Sequence, residues 1–479
     1  MGLKRFDFKL KDNSKKNSII VASIIVLVLL IGVTIYATYA AYKVTNTYNI
    51  IQGKVAEFEN VDIKINVIAV DNEGNETTVE EFPTEGYVFD YLKSKCENGS
   101  EIEFNEESQT ASITSTGKDS CSLYFRKYGA LADAIIKSSE IVLENPNFST
   151  AATDENTKLY LAEDDYGTSY YLRGASTNNY VQLGEYQSDV KRVRGYYSED
   201  STTYYREYDT MDDCNNSDIF NYNCTEVTYA TKGNPMYWRI VRINGDGSVR
   251  LIYDGINKVQ NGEIHIASIG SSDLGQYEGD SKYLGYTYDD GNGKQVDSTF
   301  KTYIDNWYKT HLKSTYESNI SDSIFCNDRS LGNNPYPLEG HVDYAAEDRL
   351  NPDNGVEDEH YPILTCPNKS DRYTVNDTTN GNGFLTNPIG LLTADESFFA
   401  GGTQIENYNY YLYSGYDTMT LTPLYYNGTV GVPGAICNNG LVPGLCEGEV
   451  YAIRPVINLN GDVKFEGNGS FETPYIISE

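Results

Sequence analysis

The chain has 479 residues, a formal net charge of −32 at pH 7 and a sequence pI near 4.4. Nucleic-acid binding depends on Lys and Arg that neutralise phosphates, so this acidic composition excludes nucleic acid as a partner and disfavours binding to anionic headgroups. The length allows two or three domains. Tyr is abundant, at 43 residues.

A charge-free run between Lys16 and Lys43 is the first element along the chain. Its apolar part, Ile19 to Ala41, would be roughly 34 Å long as a helix, enough to cross a hydrocarbon core about 30 Å thick. Six basic and two acidic residues precede it, and basic flanks stay in the cytoplasm. The sequence therefore predicts a cytoplasmic tail over residues 1–18, a single transmembrane helix over residues 19–41, and a cell-membrane protein whose bulk is extracellular. A cleaved signal peptide and a buried core helix are the alternatives.

Eight cysteines follow the apolar run, and an even number in an exported chain predicts disulfides. Many connectivities are open to eight cysteines. Because loop closure costs least between near neighbours, we expect sequential pairing. The expected structural disulfides are Cys96–Cys121, Cys214–Cys224, Cys326–Cys366 and Cys437–Cys446. The chain has no CxxC motif, and none of its four histidines has ligand spacing to a cysteine, so zinc is not predicted.

Residues 53–128 are predicted to form a small β-sandwich module. Residues 61–67 and 101–104 alternate apolar and polar side chains, which is typical of half-buried strands. Residues 71–75 have turn composition. We expect Cys96 to face Cys121 across the sheet, where one disulfide would add about 2–4 kcal/mol to a thin core. The module resembles a spacer or adhesion-type domain and has no catalytic constellation.

Residues 129–160 are predicted to be a helical and polar linker, because Leu131, Ala134 and Ile135 have helical spacing. Residues 161–479 are predicted to be a larger, loop-rich α+β surface domain. Its clearest hairpin joins strands over residues 236–243 and 248–253 through Asn-Gly and Asp-Gly, which tolerate positive φ.

Two helices are predicted in the larger domain. The apolar stripe of the first includes Phe300, Ile304 and Trp307, with Trp307 expected in the core and His311 expected to pack or cap rather than bind a ligand. Thr393 and Glu396 form a predicted capping box before the second helix. Further strands are expected over residues 408–413, 418–422 and 452–459, with Pro455 at an edge or bulge.

Acidic loops are the candidate metal sites. Residues 244–247 and 289–293 are rich in Asp and Gly but lack EF-hand spacing, so turns are expected, and calcium on an acidic loop stays open. The densest polar cluster is predicted to be a solvated loop rather than a metal or catalytic site, and it contains His341, Asp343, Glu347, Asp348 and His360. The sequence has no Ser–His–Asp arrangement, HExxH or GxSxG, so an enzyme is not predicted.

Four segments resemble a family of uncharacterised surface proteins encoded by Gram-positive, gut-type bacteria of low genomic GC content. They are residues 165–171, 237–247, 389–396 and 453–459. Residues 96–99 and 121–125 look like the small β-module that often precedes the main domain in that family. The resemblance implies a surface protein and carries no activity.

At the level of fold, the predicted strands, two helices, long loops and closing Arg-Pro-Val strand resemble the C-type-lectin-like and formylglycine-generating-enzyme-like fold. The lectin calcium triplets Glu-Pro-Asn and Trp-Asn-Asp are missing, so the resemblance does not imply calcium-dependent sugar binding. The enzyme branch needs reactive cysteines, whereas Cys437 and Cys446 are more typical of a structural disulfide. Fold alone does not decide function.

The sequence thus predicts a membrane-anchored, extracellular binding or adhesion protein without a cofactor. Its Tyr/Asn/Gly-rich loops would be displayed to a glycan or protein ligand, because Tyr offers apolar area and a polar tip at low entropic cost. An exported enzyme and a structural envelope component without a small ligand are the alternatives.

Overall fold

The computed structural model describes residues 46–50, 63–115, 117–199, 202–208, 210–215, 223–272, 287–289, 295–332, 341–350, 361–427, 431–442, 446 and 451–478. The chain divides into two compact units. The first comprises Met1–Val67, Glu80–Phe82 and Ser94–Leu123, and the second Ile68–Val79, Pro83–Lys93 and Tyr124–Glu479. The predicted transmembrane helix, Ile19 to Ala41, lies outside the described residues. Within the described ranges, no helix is both long enough and apolar enough to cross a bilayer.

The predicted class, α+β and mostly β, is confirmed. The strands that precede residue 200 are β1 (Asn46–Ile50), β2 (Ile63–Val70), β3 (Glu76–Val79), β4 (Tyr87–Phe89), β5 (Lys95–Cys96), β6 (Glu101–Asn105), β7 (Thr110–Ser115), β8 (Asp119–Lys127), β9 (Glu140–Val142), β10 (Glu155–Asn156), β11 (Lys158–Asp164), β12 (Gly167–Leu172), β13 (Ala175–Ser176), β14 (Tyr180–Glu185) and β15 (Val190–Glu199). They are followed by β16 (Thr202–Tyr208), β17 (Asn223–Ala230), β18 (Pro235–Ile243), β19 (Val249–Gly255), β20 (Gly270–Ser272), β21 (Thr287–Asp289), β22 (Gln295–Asp297), β23 (Phe325–Cys326), β24 (His341–Asp343), β25 (Arg372–Tyr373), β26 (Thr418–Asn427), β27 (Gly431–Ile436), β28 (Tyr451–Ile453), β29 (Val456–Leu459), β30 (Phe465–Glu466) and β31 (Tyr475–Ile477).

The described helices are short apart from one. They are α1 (Ala130–Lys137), α2 (Met211–Asn215), α3 (Thr299–His311), α4 (Lys313–Tyr316), α5 (Ala345–Leu350) and α6 (Ala394–Phe399), with 3₁₀ turns at Glu317–Asn319 and Lys369–Asp371.

The first unit contains an antiparallel sheet of order β1-β7-β6. Alternate residues of β7 point into its core, where Ala111 and Ile113 are fully buried. In the same unit β5 pairs with β8, with Cys96 directly opposite Cys121. These two residues form a disulfide, as expected from their positions on neighbouring strands.

The second unit is built on a nine-stranded sheet in which β14, β18, β12 and β11 are neighbours and β19 pairs with both β18 and β29. Strand β18 is central, and nearly all of it is buried. A strand covered on both faces has a nearly continuous apolar sequence, so the arginines within β18 need partners in the interior. The predicted hairpin from β18 to β19 is confirmed, since Asn244 N donates to Ser248 O at 2.8 Å and Gly247 has a φ of +87°.

Two strand predictions are wrong. Residues 408–413 form turns rather than a strand, because Asn407 Oδ1 accepts from Asn409 N and Asn407 Nδ2 donates to the Ala152 and Gly401 carbonyls. Such side-chain bonds to the backbone compete with strand pairing. The predicted strand over residues 452–459 is two strands in different sheets, β28 and β29, which Arg454 and Pro455 separate.

Both predicted helices are confirmed. Helix α3 begins after Ser298, whose side chain accepts from Lys301 N. Trp307 packs edge-on against Trp238 in the core, and His311 is buried against Tyr186. Helix α6 starts with the capping box of Thr393 and Glu396.

The segment 129–160, predicted to be a linker, supplies α1, β9 and β10 to the second unit. Strand β9 extends the large sheet by pairing in parallel with β11. Three disulfides lie in this unit, namely Cys214–Cys224, Cys326–Cys366 and Cys437–Cys446. With Cys96–Cys121 they reproduce the sequential pairing, and the described chain has no free cysteine. Four disulfides indicate an extracellular type of protein.

Candidate functional site

A polar cleft lies in the second unit. Its lining comes from the β11–β12 hairpin, the ends of β18 and β19, β23 and the loop after it, α5, residues 363–365, α6 and β26. Cys326, which is disulfide-bonded to Cys366, borders the cleft. Elements distant in sequence therefore meet here.

The β11–β12 turn carries three lining residues: Asp164, Asp165 and Tyr166. Asp164 Oδ1 accepts from Tyr166 N at 2.8 Å, and Gly167 closes the turn with a φ of +128°. The next hairpin approaches so closely that a Cβ on Gly245 would lie 2.5 Å from Asp164 Oδ1. Glycine is needed at position 245 for this approach.

A bulge places two arginines side by side. Along β18 and β19, Ile240 is opposite Leu251 and Arg242 is opposite Arg250, so β18 has one extra residue, Val241, between these pairs. Leu251 and Arg250 point to opposite faces of the sheet because they are adjacent. The bulge therefore turns Arg242 to the face of Arg250 and away from that of Ile240.

Both of these arginines bind one buried carboxylate. Arg242 Nε lies 3.1 Å from Glu396 Oε1, and Arg250 Nε lies 2.6 Å from the same atom. Arg242 Nη1 also contacts Asp164 Oδ2 at 2.7 Å. Burial alone would raise the pKa of Glu396, but Arg250 and Arg242 hold it below its ordinary value of 4.5. The buried charges of this cluster are thus paired with one another.

A second set of ion pairs completes the lining. Arg349 binds Asp395 through two bonds of 2.7 and 2.8 Å, and its Nη1 contacts Asp328 at 2.8 Å. Arg372 contacts Asp165 at 3.0 Å. Each of the five carboxylates in the lining is therefore paired with an arginine.

Asn244 borders the cleft with a buried side-chain amide. The Ser248 hydroxyl donates to Asp246 at 2.6 Å and accepts from Asn244 Nδ2 at 2.7 Å, which fixes the orientation of the amide. Nδ2 also donates to Asn458 Oδ1 at 2.9 Å. Asn244 is only 1% exposed, and its Oδ1 has no hydrogen-bond partner among the described residues. Such an atom suits a ligand or water that donates a hydrogen bond.

Asp165 provides a pH-dependent prediction. Burial raises its pKa above the ordinary value of 3.8, against the opposing effects of the Cys366 amide and Arg372. The folded state then binds a proton more readily than the unfolded state, so stability falls as the pH rises through the folded pKa. We expect Asp165→Asn to unfold at a higher urea midpoint than the parent at pH 7. The two midpoints should converge as the pH falls towards 3.8.

Asp377→Asn is the matched control of opposite sign. Burial would raise the pKa of Asp377, but hydrogen bonds from Asn380 and Thr379 lower it below 3.8. This variant should be less stable than the parent at pH 7. If the stability of both variants relative to the parent changed with pH in the same direction, the raised pKa of Asp165 would be contradicted.

The Tyr/Asn/Gly-rich loops form a separate surface of the second unit. His265 N donates to Ser414 O at 3.0 Å, which joins the loop after β19 to the loop before β26. Ile264 is 68% exposed and Tyr408 is 45% exposed on these loops. The Tyr408 ring packs edge-on against Tyr413, with ring centres 5.5 Å apart. An exposed aromatic ring whose orientation is fixed by a neighbouring ring is suited to contact a ligand.

The predicted metal candidates are not assembled as sites among the described residues. Two groups of three potential ligands occur there, one around Asp119 and one around Asp417, but the cysteines of both are disulfide-bonded and cannot act as thiolates. Asp246 accepts from Ser248 within the hairpin, in agreement with the turn prediction, and from Ser323 outside it. The loop at residues 290–294 lies outside the described residues.

The histidine-containing cluster differs from the predicted loop. His341 and Asp343 belong to β24, and Glu347 and Asp348 belong to α5, which buries Ala346 and Leu350. His360 lies outside the described residues. Helix α5 contributes Arg349 to the cleft.

Sequence reasoning missed the Arg–carboxylate cleft. Arg242 and Glu396 are 154 residues apart, and no local pattern joins them. The available signal was the presence of arginines in otherwise apolar strands, which need buried partners.

Comparison of the chain with protein-family models, with curated proteins and with solved structures gives no match.

Proposed function

We propose that the protein is a membrane-anchored extracellular binding protein whose second unit holds a hydroxyl-rich ligand, a glycan, in the Arg–carboxylate cleft. The observation that carries the proposal is that each of the five lining carboxylates is paired with an arginine. These pairs fix acceptors and donors in place before a ligand arrives. Sugar hydroxyls both donate and accept, so they suit a mixed and pre-organised lining.

Two further features support a binding role. Asn244 Oδ1 is an acceptor without a partner in the described part of the chain, and it can receive a ligand hydroxyl. Tyr408, on the separate loop surface of the same unit, is partly exposed, and aromatic faces contact the apolar side of sugars. The predicted anchor at Ile19 to Ala41 and the C-type-lectin-like arrangement are parts of this proposal. The anchor would hold the cleft at the cell surface, facing outward.

Blocking the cleft without breaking its ion pairs tests the proposal. Thr365 lines the cleft and is partly exposed. We expect the full-length protein to bind members of a glycan array, and Thr365→Trp to weaken that binding by about tenfold or more, which corresponds to about 1.4 kcal/mol. Thr379→Trp, at an exposed threonine of the same unit outside the cleft lining, should bind like the parent.

Two outcomes would overturn the glycan assignment. One is that no glycan binds, which would favour a structural envelope component or a protein ligand. The other is that Thr365→Trp binds as well as Thr379→Trp, which would move the binding site away from the cleft.

An exported glycan hydrolase is the second candidate, and one observation favours it. The pKa of Asp165 is raised by burial, as the general acid of such an enzyme requires. Against it, Arg372 contacts Asp165 Oδ1, and the Cys366 amide donates to Oδ2. Release of new reducing ends from a bound glycan, lost in Asp165→Asn while binding persists, would establish the enzyme. Binding without release supports the proposed function.

A further inference from the structure

Three buried side chains outside the cleft lining form a reactive combination in the second unit. Lys301 and Asp305 lie one turn apart on α3 and are 1% and 5% exposed. Asn387, in the loop after β25, is 1% exposed. Buried lysines are rare, because removing an ammonium group from water is costly.

The Asp305 carboxylate bonds to both the amine and the carboxamide, and Asp297 Oδ2 lies 3.4 Å from the same Lys301 Nζ. Lys301 Nζ donates to Asp305 Oδ2 at 2.7 Å, and Asn387 Nδ2 donates to Asp305 Oδ1 at 2.9 Å. Lys313 Nζ lies 3.4 Å from Asn387 Oδ1. The amine, a proton carrier, the amide to be attacked and a cation beside its oxygen are therefore in one place.

We propose that Lys301 and Asn387 form an intramolecular isopeptide bond, with Asp305 as the catalytic residue. Asp305 takes a proton from the Lys301 ammonium group, and the neutral amine forms a bond to Asn387 Cγ. The charge that develops on Oδ1 is stabilised by Lys313. Asp305 passes its proton to Nδ2, the Cγ–Nδ2 bond breaks, and the departing ammonia takes the remaining extra proton from the new amide nitrogen. The net change is one new amide and one released ammonium ion, with no oxidation or reduction.

The surroundings favour this reaction over its competitors. Leu385 and Ile389 flank Asn387 and are buried, so water is kept from the amide carbon. Holding the reactants together removes the entropic cost of their encounter. The commonest alternative for asparagine is a succinimide, which needs the backbone N–H of the next residue. That residue is Pro388, which has none.

The bond would close a chain segment that already contains a disulfide. Residues 301–387 enclose the Cys326–Cys366 pair. A covalent link of this kind limits the unfolded chain as a disulfide does, but reducing agents do not open it. The second unit would keep one covalent closure even with its disulfides reduced.

Peptide mass spectrometry of the full-length protein, reduced and alkylated, decides the matter. We expect a branched peptide that joins the Lys301 and Asn387 segments and is lighter than their sum by one ammonia. A peptide cleaved after Lys301, together with an unmodified Asn387 peptide, would overturn the proposal. A branch from Lys313 instead would overturn the choice of Lys301 as nucleophile. Intact mass alone does not suffice, because succinimides at Asn-Gly sites such as Asn98 and Asn261 also lose ammonia.

Variants separate the roles of the three residues. Lys301→Arg keeps the positive charge and Asp305→Asn keeps the shape, and both should abolish the branched peptide. Lys309→Arg, at an exposed position on the same helix, should leave it unchanged. A branched peptide of undiminished yield in Asp305→Asn would exclude Asp305 as the proton carrier. The wild-type measurement decides the bond itself even if a variant does not fold.

Discussion

Replacing Glu396 by Ala is expected to lower the free energy of unfolding by about 3–5 kcal/mol, because removing one partner leaves buried charges uncompensated. Glu396 is shared by Arg242 and Arg250, and both arginines are nearly inaccessible to solvent. Part of the loss would come from the helix cap, since Glu396 Oε2 also accepts from Thr393 N. Urea denaturation at pH 7 measures the change.

Glu396→Gln separates the charge from the cap. The amide oxygen keeps an acceptor for the cap, worth about 1 kcal/mol, but lacks the charge that the arginines bind. Since the folded pKa of Glu396 lies below 4.5, its stabilising effect is complete above that pH and is lost as the pH falls through the folded pKa. The difference in the free energy of unfolding between the parent and Glu396→Gln should therefore become smaller at acidic pH.

Glu472→Ala, at an exposed acidic residue, is the matched control and should change stability by less than about 0.5 kcal/mol. If Glu396→Ala behaved in the same way, the ion-pair cluster would have no role in stability. The cleft would then need another explanation.

Removing the Cys326–Cys366 disulfide is expected to have the second largest effect. The bond spans 40 residues, and the chain-entropy estimate for such a loop is about 4 kcal/mol. Replacing both cysteines by Ser should lower the urea midpoint accordingly. Because Cys326 borders the cleft, ligand binding should weaken in the same variant.

The Cys437–Cys446 pair is the control for loop length. It spans only 9 residues, for which the estimate is about 2.6 kcal/mol, so its double Ser variant should be less affected. An equal or larger loss from the short loop would contradict the entropic account.

A Lys301–Asn387 link would already restrain the longer loop. Removing Cys326–Cys366 should therefore lower the free energy of unfolding by more in the Lys301→Arg background than in the parent.

Features encoded by neighbouring residues could be predicted from the sequence. The β18–β19 hairpin, the Trp307 stripe of α3 and the Thr393 capping box each depend on spacings of a few residues. Sequential disulfides also follow from short loops, because loop entropy rewards them. The turns at residues 408–413 could not be predicted, since the amide of Asn407 bonds to Ala152 and Gly401, and only the folded chain brings these groups together.

The cleft was beyond prediction for a related reason. Arg242 finds Asp164 at a separation of 78 residues and Glu396 at 154. The sequence shows that a buried arginine needs an acid, but an acidic chain offers many. The partner is selected by the path of the backbone, which a single sequence does not reveal.

The extra residue at Val241 makes the pairing register of β18 as important as its composition. If β18 paired without the bulge, Val241 would lie opposite Arg250, and the Arg242 guanidinium would point to the face of Ile240, away from Glu396. A related chain that lacks Val241 should keep the paired arginines, because Ile240 and Arg242 would then be neighbours on opposite faces and Arg242 would still lie opposite Arg250.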